Sequence, residues 1–295
     1  MRFRKKLTFF YSKFKSISAK TIRLILCKRL EKKQSVINFF HLGEIDPRIF
    51  NYYLDHFIII SAPVNKAFGF YFFGLDNQIF HPFYIALKKF KSDTKNALKD
   101  FENTLQKYYD LTKGYNLQGY LDVELSNGVA DLPPHALSFP WDSKTPSEAL
   151  NMRKNRVGTK DNFYGFNRLG EVSPKLITDE AKRVLSIHNS ILEKGYQPNN
   201  STDFISGTFL FRDNDWRWIV GSGDHRLPVL MFHNIQNIPV RIVKLVRRQE
   251  VDFWPNVRNG IYSKKSALEI FDRYFSNSYS KVFQNWINQC INEKL

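Results

Sequence analysis

An apolar, β-prone run that stops at a Gly-x-Gly turn and resumes at helical spacing can fold as little other than strand, tight turn and helix. Residues 218–230 have that form: Trp218-Ile219-Val220, then Gly221-Ser222-Gly223, then Asp224-His225-Arg226, then Leu227-Pro228-Val229-Leu230. Pro228 fits because it falls in the first helical turn, where its missing N–H has no intrahelical partner to lose. Glycines let backbone N–H groups approach a ligand closely, and a helix start favours an anion. An arginine there adds a forked, permanent cation suited to phosphate. The stretch reads as a phosphate-binding turn.

Its flanks complete a unit of about 70 residues, 173–242. Ser173-Pro174 is a helix start, with a hydroxyl cap followed by proline at the first position. Leu176, Ile177, Val184, Leu185, Ile187, Ile191 and Leu192 supply an apolar stripe that Lys194-Gly195 ends. Residues 205–211 read as a strand, 212–215 as a turn and 216–220 as the hairpin partner. Asn234 can end the helix that opens near Arg226. Ile238-Pro239-Val240-Arg241-Ile242 is a further strand, with proline near its start, where a lost donor costs least.

In this order of parts, and in "SILEKGYQPN", "GTFLFRDNDWRWIVGSGDHR", "LPVLMFHN" and "IPVRI", the chain resembles the ParB/sulfiredoxin superfamily. ParB-like members carry Gly-Glu-Arg-Arg at the turn and bind nucleotide phosphates there. Sulfiredoxin carries Gly-Cys-His-Arg and binds ATP. Here the places are held by Gly223, Asp224, His225 and Arg226. The resemblance implies an α+β fold, a small mixed sheet with helices, and a nucleotide, ATP or CTP with Mg²⁺, as cofactor. Asp224 replaces the sulfiredoxin cysteine, so sulfinic-acid reduction is not expected. No helix-turn-helix pattern follows the motif. The layout of the longer chain also resembles ParB-like proteins of bacterial surface-polysaccharide gene neighbourhoods.

The candidate nucleotide and phosphate ligands are therefore Gly221, Ser222, Gly223, Asp224, His225, Arg226 and Arg241. Arg226 would neutralise phosphate bidentately, and His225 would donate a hydrogen bond or act as acid or base. The alternatives are a cap for His225 and an ion pair for Arg226. Asp224 can cap the helix, hold Mg²⁺ or activate a substrate hydroxyl. Arg241 either reaches the site from the next strand or pairs with an acid. Glu171 is a candidate base because a related kinase needs a carboxylate from that side. The candidate catalytic residues are Asp224, His225 and Glu171. The seven histidines show no metal-ligand spacing, so no structural zinc is expected.

Charge is placed unevenly. Of 44 Lys/Arg and 28 Asp/Glu, twelve cations and one acid, Glu31, fall in residues 1–40. There Leu7, Phe10, Tyr11, Phe14 and Ile17 share a helical face among lysines and arginines, which reads as an anchor on an anionic membrane surface or, equally, as a solvated helix packed on the body. Nucleic acid ranks third, because nothing nearby offers base readout. The apolar run from Ile22 to Cys27 is interrupted by Arg23 and is too short to span a bilayer. Two distant cysteines, Cys27 and Cys290, suit a reducing cytoplasm, and the expected location is cytoplasmic, at the periphery of the inner membrane.

Five regions follow: a basic arm over 1–40, a mixed α/β region over 41–126, a loop or linker over 127–170, the ParB/sulfiredoxin-like domain over 171–250, and C-terminal helices over 251–295. Within the second, the spacing predicts strands near 57–61 and 67–75, one long helix over 83–111, and a strand over 117–125. The Pro/Asn/Gly-rich linker has the length to fold over the turn as a lid. Three functions remain open: a nucleotide-dependent phosphotransferase (a kinase) on a small hydroxylated metabolite or sugar of cell-surface polysaccharide synthesis, a nucleotide-sensing module without chemistry, and a DNA-binding partition-type protein.

Overall fold

The structure is a computed structural model that describes residues 35–53, 56–69, 72–74, 80–90, 97–156, 172–198, 203–276 and 278–293. The basic arm up to residue 34 and Glu171 lie outside the described residues. The strands are β1 (Val36–Asn38), β2 (Phe57–Pro63), β3 (Ala67–Gly69), β4 (Phe73–Gly74), β5 (Ile205–Arg212), β6 (Asp215–Ser222) and β7 (Asn237–Arg247). They form one mixed sheet in the order β1-β2-β7-β5-β6-β3-β4. The helices are α1 (Pro82–Lys89), α2 (Ala97–Thr112), α3 (Leu117–Leu121), α4 (Pro146–Arg156), α5 (Pro174–Lys194), α6 (Arg226–Phe232), α7 (Pro255–Arg258), α8 (Lys264–Ser276) and α9 (Lys281–Asn292). The class is α+β.

The motif unit folds as its local signals dictate. Ser173 Oγ accepts the Leu176 N–H at 3.2 Å and caps α5, which runs to Lys194 and stops at Gly195, φ +71°. β5 and β6 pair antiparallel up to Arg212 and Asp215, leaving Asp213 and Asn214 as a two-residue loop with Asp213 at φ +55°. Asn234, φ +58°, follows α6 and turns the chain into β7. β7 is longer than the five residues read from sequence, and it pairs parallel with β5 and antiparallel with β2.

Strands from the 41–126 stretch and from the 171–250 stretch thus share one sheet, because β2 pairs with β7 and β3 pairs parallel with β6. Both sheet faces are covered. Phe68 meets Tyr274 of α8 at 4.9 Å, whereas a Cβ on its neighbour Gly69 would lie 3.0 Å from the His81 ring at the start of α1. Near-continuous burial along β2 and β5 follows from that double cover. On one side α1 packs on α2 and α6, and α5 packs on the same two.

Three local readings change. The helix expected over 83–111 is two helices, α1 and α2, because Phe90 leaves helical geometry at ψ 120°. The strand expected over 117–125 is the short helix α3, capped by the Asn116 side chain accepting the Gly119 N–H; only Leu125 pairs as strand, in a bridge to Tyr262. The 127–170 loop carries α4 and a buried segment in which Leu137, Phe139 and Trp141 enter the common core.

Candidate functional site

Segment 137–144 has irregular backbone yet is tied down by residues more than 110 positions away. Asn256, fully buried, turns its amide nitrogen toward the carbonyls of Phe139, Asp142 and Lys144 at 2.9, 3.2 and 2.9 Å and toward Ser138 Oγ at 3.4 Å. Its Oδ1 has no hydrogen-bond partner. Tyr262 donates its hydroxyl to the Ser138 carbonyl at 2.6 Å, and burial raises its pKa above the usual phenol range. Inside the segment, Asp142 accepts the Phe139 N–H at 2.9 Å.

The segment faces the sheet across two adjoining cavities. The smaller, about 220 Å³, is walled by Phe139 and Trp141 and lined by Thr208, Gly221 and the carboxylate-bearing Asp142 and Asp224. The larger, about 450 Å³, shares Leu137, Asp142 and Thr208 with it and adds Lys144, Met152 and Lys244. A slip in register shapes this wall. Gly207 of β5 pairs with Ile242 and the next residue, Thr208, with Lys244, so Val243 is left over. The irregularity lets consecutive Val243 and Lys244 both border the larger cavity, as a regular pleat would not. Lys244 donates from Nζ to the Trp141 carbonyl; burial lowers its pKa, against the pull of Asp142.

The turn itself sits at the end of β6. Gly221 and Ser222 are exposed. Gly223 adopts φ +106°, and a Cβ there would lie 2.7 Å from Ile205 Cγ1, so both conformation and space require glycine. Its carbonyl accepts the N–H groups of Arg226 and Leu227 at 2.9 and 3.0 Å, which opens α6. Asp224 is buried, 5% exposed, on the wall of the smaller cavity. His225 points the other way. Its Nε2 lies 2.5 Å from Glu180 Oε2 of α5, and its ring lies parallel to Phe83 of α1 at 5.2 Å. It makes no side-chain cap hydrogen bond to α6. Arg226 is half-buried and donates to the Asp203 carbonyl, with Tyr196 as an electrostatic neighbour.

Of the residues singled out by sequence, Gly221 and Asp224 therefore share a cavity wall, and Ser222, Gly223 and Arg226 flank it along the chain. Arg241 lies elsewhere: its guanidinium stands over Phe57 of β2 at 5.0 Å, on the opposite side of β5 from β6. Trp218 is core, donating to the Pro63 carbonyl at 3.0 Å, and Trp216 carries Lys66 on its face. Arg247 and Arg248 are engaged by Glu250 and Asp272. Sequence reasoning missed Asp142, Thr208, Glu180 and Asn256, since none stands in a recognisable spacing. Among the described residues there is no cluster of three or more His, Cys, Asp or Glu able to hold a metal, and no helix is long and apolar enough to cross a membrane. No family model, curated protein or solved structure matches this chain.

Proposed function

We propose that the chain is a nucleotide-binding phosphotransferase of ParB/sulfiredoxin-like type, acting on a small hydroxylated metabolite or sugar. The observation that carries this reading is the shared wall: Asp224 of the turn lines the same 220 Å³ cavity as Asp142 of the pinned segment. In this reading the exposed Gly221–Ser222 backbone and Arg226 receive the nucleotide phosphates, and the cleft beside them receives the acceptor. Two carboxylates facing one space fit the oxygen-ligand chemistry of Mg²⁺, which when bound would offset phosphate charge. Asp224 orients the acceptor hydroxyl and takes its proton as the hydroxyl oxygen bonds to the terminal phosphorus and the bond to the leaving nucleoside diphosphate breaks. Segment 137–144 covers the reacting end and excludes water. The place of work is the cytoplasm, with residues 1–40 meeting an anionic membrane surface at the inner face and polysaccharide synthesis as the setting.

One observation favours a second reading, nucleotide sensing without chemistry. His225 is held by Glu180 and turned away from the cavity, which removes it from proton transfer. Calorimetric titration of ATP, ADP, CTP and GTP with Mg²⁺, on wild type, Arg226→Ala and Asp224→Asn, separates the outcomes. The phosphotransferase reading expects binding that Arg226→Ala weakens at least tenfold, together with acceptor-dependent nucleotide turnover that Asp224→Asn abolishes. Binding without turnover under every acceptor supports the sensing module. No binding of any nucleotide removes both.

A further inference from the structure

The two cavities differ in charge. Among the described residues, the smaller is bordered by two carboxylates and no lysine, whereas the larger is bordered by Lys144 and Lys244, with Asp142 shared by both. Several cations elsewhere in the structure have acidic partners: Arg48 with Asp46, Lys107 with Glu293, Arg248 with Asp272, Lys264 with Asp252. Among the described residues, neither Lys144 nor Lys244 has a carboxylate within ion-pair distance. Lys244 Nζ is turned to the Trp141 carbonyl and Lys144 Nζ to Met152 Sδ, 2.6 Å away. Two ammonium groups on the wall of one cavity, with Asp142 the single carboxylate among its described lining residues, leave that wall net positive and lower the cost of bringing in an anion.

We infer that the larger cavity is the acceptor pocket, and that the acceptor carries an anionic group, carboxylate or phosphate ester, which Lys144 and Lys244 hold at the end remote from Asp224. The inference rests on the phosphotransferase reading for the word acceptor, and on the cavity alone for the anion. A volume of about 450 Å³ falls in the range of small-molecule sites, roughly 300–1,000 Å³. Leu137, Ala149, Met152 and Val243 add apolar wall, so the ligand has a carbon skeleton rather than being a bare ion. The pocket is built rather than incidental. The register slip at Gly207–Thr208 delivers Lys244 from one side, and the Asn256 anchor fixes Asp142 and Lys144 on the other. Burial that lowers the Lys244 pKa supports the same assignment, because an anion against the amine offsets that cost. The arrangement sets a length: one ligand spans from the lysines, past Asp142 and Thr208, to the Asp224 end, which asks for a hydroxyl at the opposite end from the charge.

The test is calorimetric titration of the full chain, without nucleotide, with glucose 6-phosphate, glucuronate and glucose. Glucose 6-phosphate or glucuronate is expected to bind at least tenfold more tightly than glucose, and which of the two prevails identifies the anion. Lys244→Met is expected to lose at least tenfold and Lys144→Ala several-fold, with Lys244→Arg recovering part of the loss and far-UV dichroism confirming the fold of each. MgATP affinity is expected to be unchanged in Lys244→Met. Equal affinity for glucose, wild-type affinity in both lysine variants, or no binding by any probe overturns the inference. Loss of MgATP rather than sugar binding in Lys244→Met also overturns it, since the lysines then serve the nucleotide. Anionic sugars that bind to a chain which binds no nucleotide leave the anion site standing and remove the phosphotransferase reading.

Discussion

Replacing Asn256 probes the device that turns an irregular segment into a wall of the cleft. Its amide carries two hydrogens and faces three carbonyls and one hydroxyl, while its Oδ1 has no partner. Each buried hydrogen bond contributes about 1 kcal/mol net, and each buried acceptor stripped of its donor costs about 1–3 kcal/mol. Two hydrogens can serve two acceptors at once, so Asn256→Ala is expected to lose about 2–5 kcal/mol. In a chain of this size that lowers the melting temperature by about 3–8 °C. Asn256→Asp is the sharper variant, because it keeps the shape and replaces the donor by a carboxylate aimed at carbonyl oxygens. It is expected to be less stable at pH 7 than Asn256→Ala. Its carboxyl would be protonated more readily folded than unfolded, so its deficit relative to wild type should shrink as pH falls toward 4. Urea denaturation followed by tryptophan fluorescence measures the series. An Asn256→Asp protein as stable as wild type at pH 7 would refute the reasoning, since an acceptor there faces three carbonyls and a Ser138 hydroxyl that already donates to the Lys144 carbonyl.

Gly223→Ala should destabilise by about 1–3 kcal/mol, because the added Cβ meets Ile205 at 2.7 Å in a left-handed conformation; an unchanged denaturation midpoint contradicts this. Glu180→Ala leaves the buried His225 without its hydrogen-bond partner and should cost about 1–3 kcal/mol, also read from the midpoint. His188 of α5 and His233, the residue after α6, share a hydrogen bond at 3.1 Å, and the His188 pKa is lowered first by burial and then by His233. A base whose folded pKa lies below its unfolded value is protonated first in the unfolded chain. Its contribution is therefore complete above about pH 6.5 and declines as pH falls through that value. Melting temperatures from pH 7.5 to 5 should show this limb, and His188→Asn should flatten it. The Cys290 thiol, buried and with its pKa pushed up to about 12, should resist a maleimide until the chain unfolds.

The parts of the fold legible in the sequence are those whose signals lie within a few residues. Ser173-Pro174 and Gly195 bound α5, Asp213-Asn214 sets the hairpin, and Gly223 and Asn234 bracket α6. Misreadings arose where the deciding interaction is distant or the pattern is degenerate. Leu87, Phe90, Thr94, Leu98 and Phe101 keep helical spacing straight across the break after Lys89, so periodicity alone cannot reveal that Phe90 turns away. The short apolar run at Leu117–Leu121 fits helix or strand, and the Asn116 cap decides for helix. Pro, Asn and Gly around 127–144 look like linker because the residues that order the segment, Asn256 and Tyr262, lie in another part of the chain. The same limit applies to the site. The glycine turn is local and could be read, whereas Asp142 and Lys244 come together only through a register slip and a tertiary anchor.

Hydrogen exchange measured peptide by peptide, with and without saturating MgATP, tests whether the turn and the pinned segment are two walls of one ligand site. The account predicts that amides in 221–226 and in 137–144 gain protection together, and that both gains vanish in Arg226→Ala. Protection confined to one of the two segments, or absent from both while nucleotide is bound elsewhere, would contradict it.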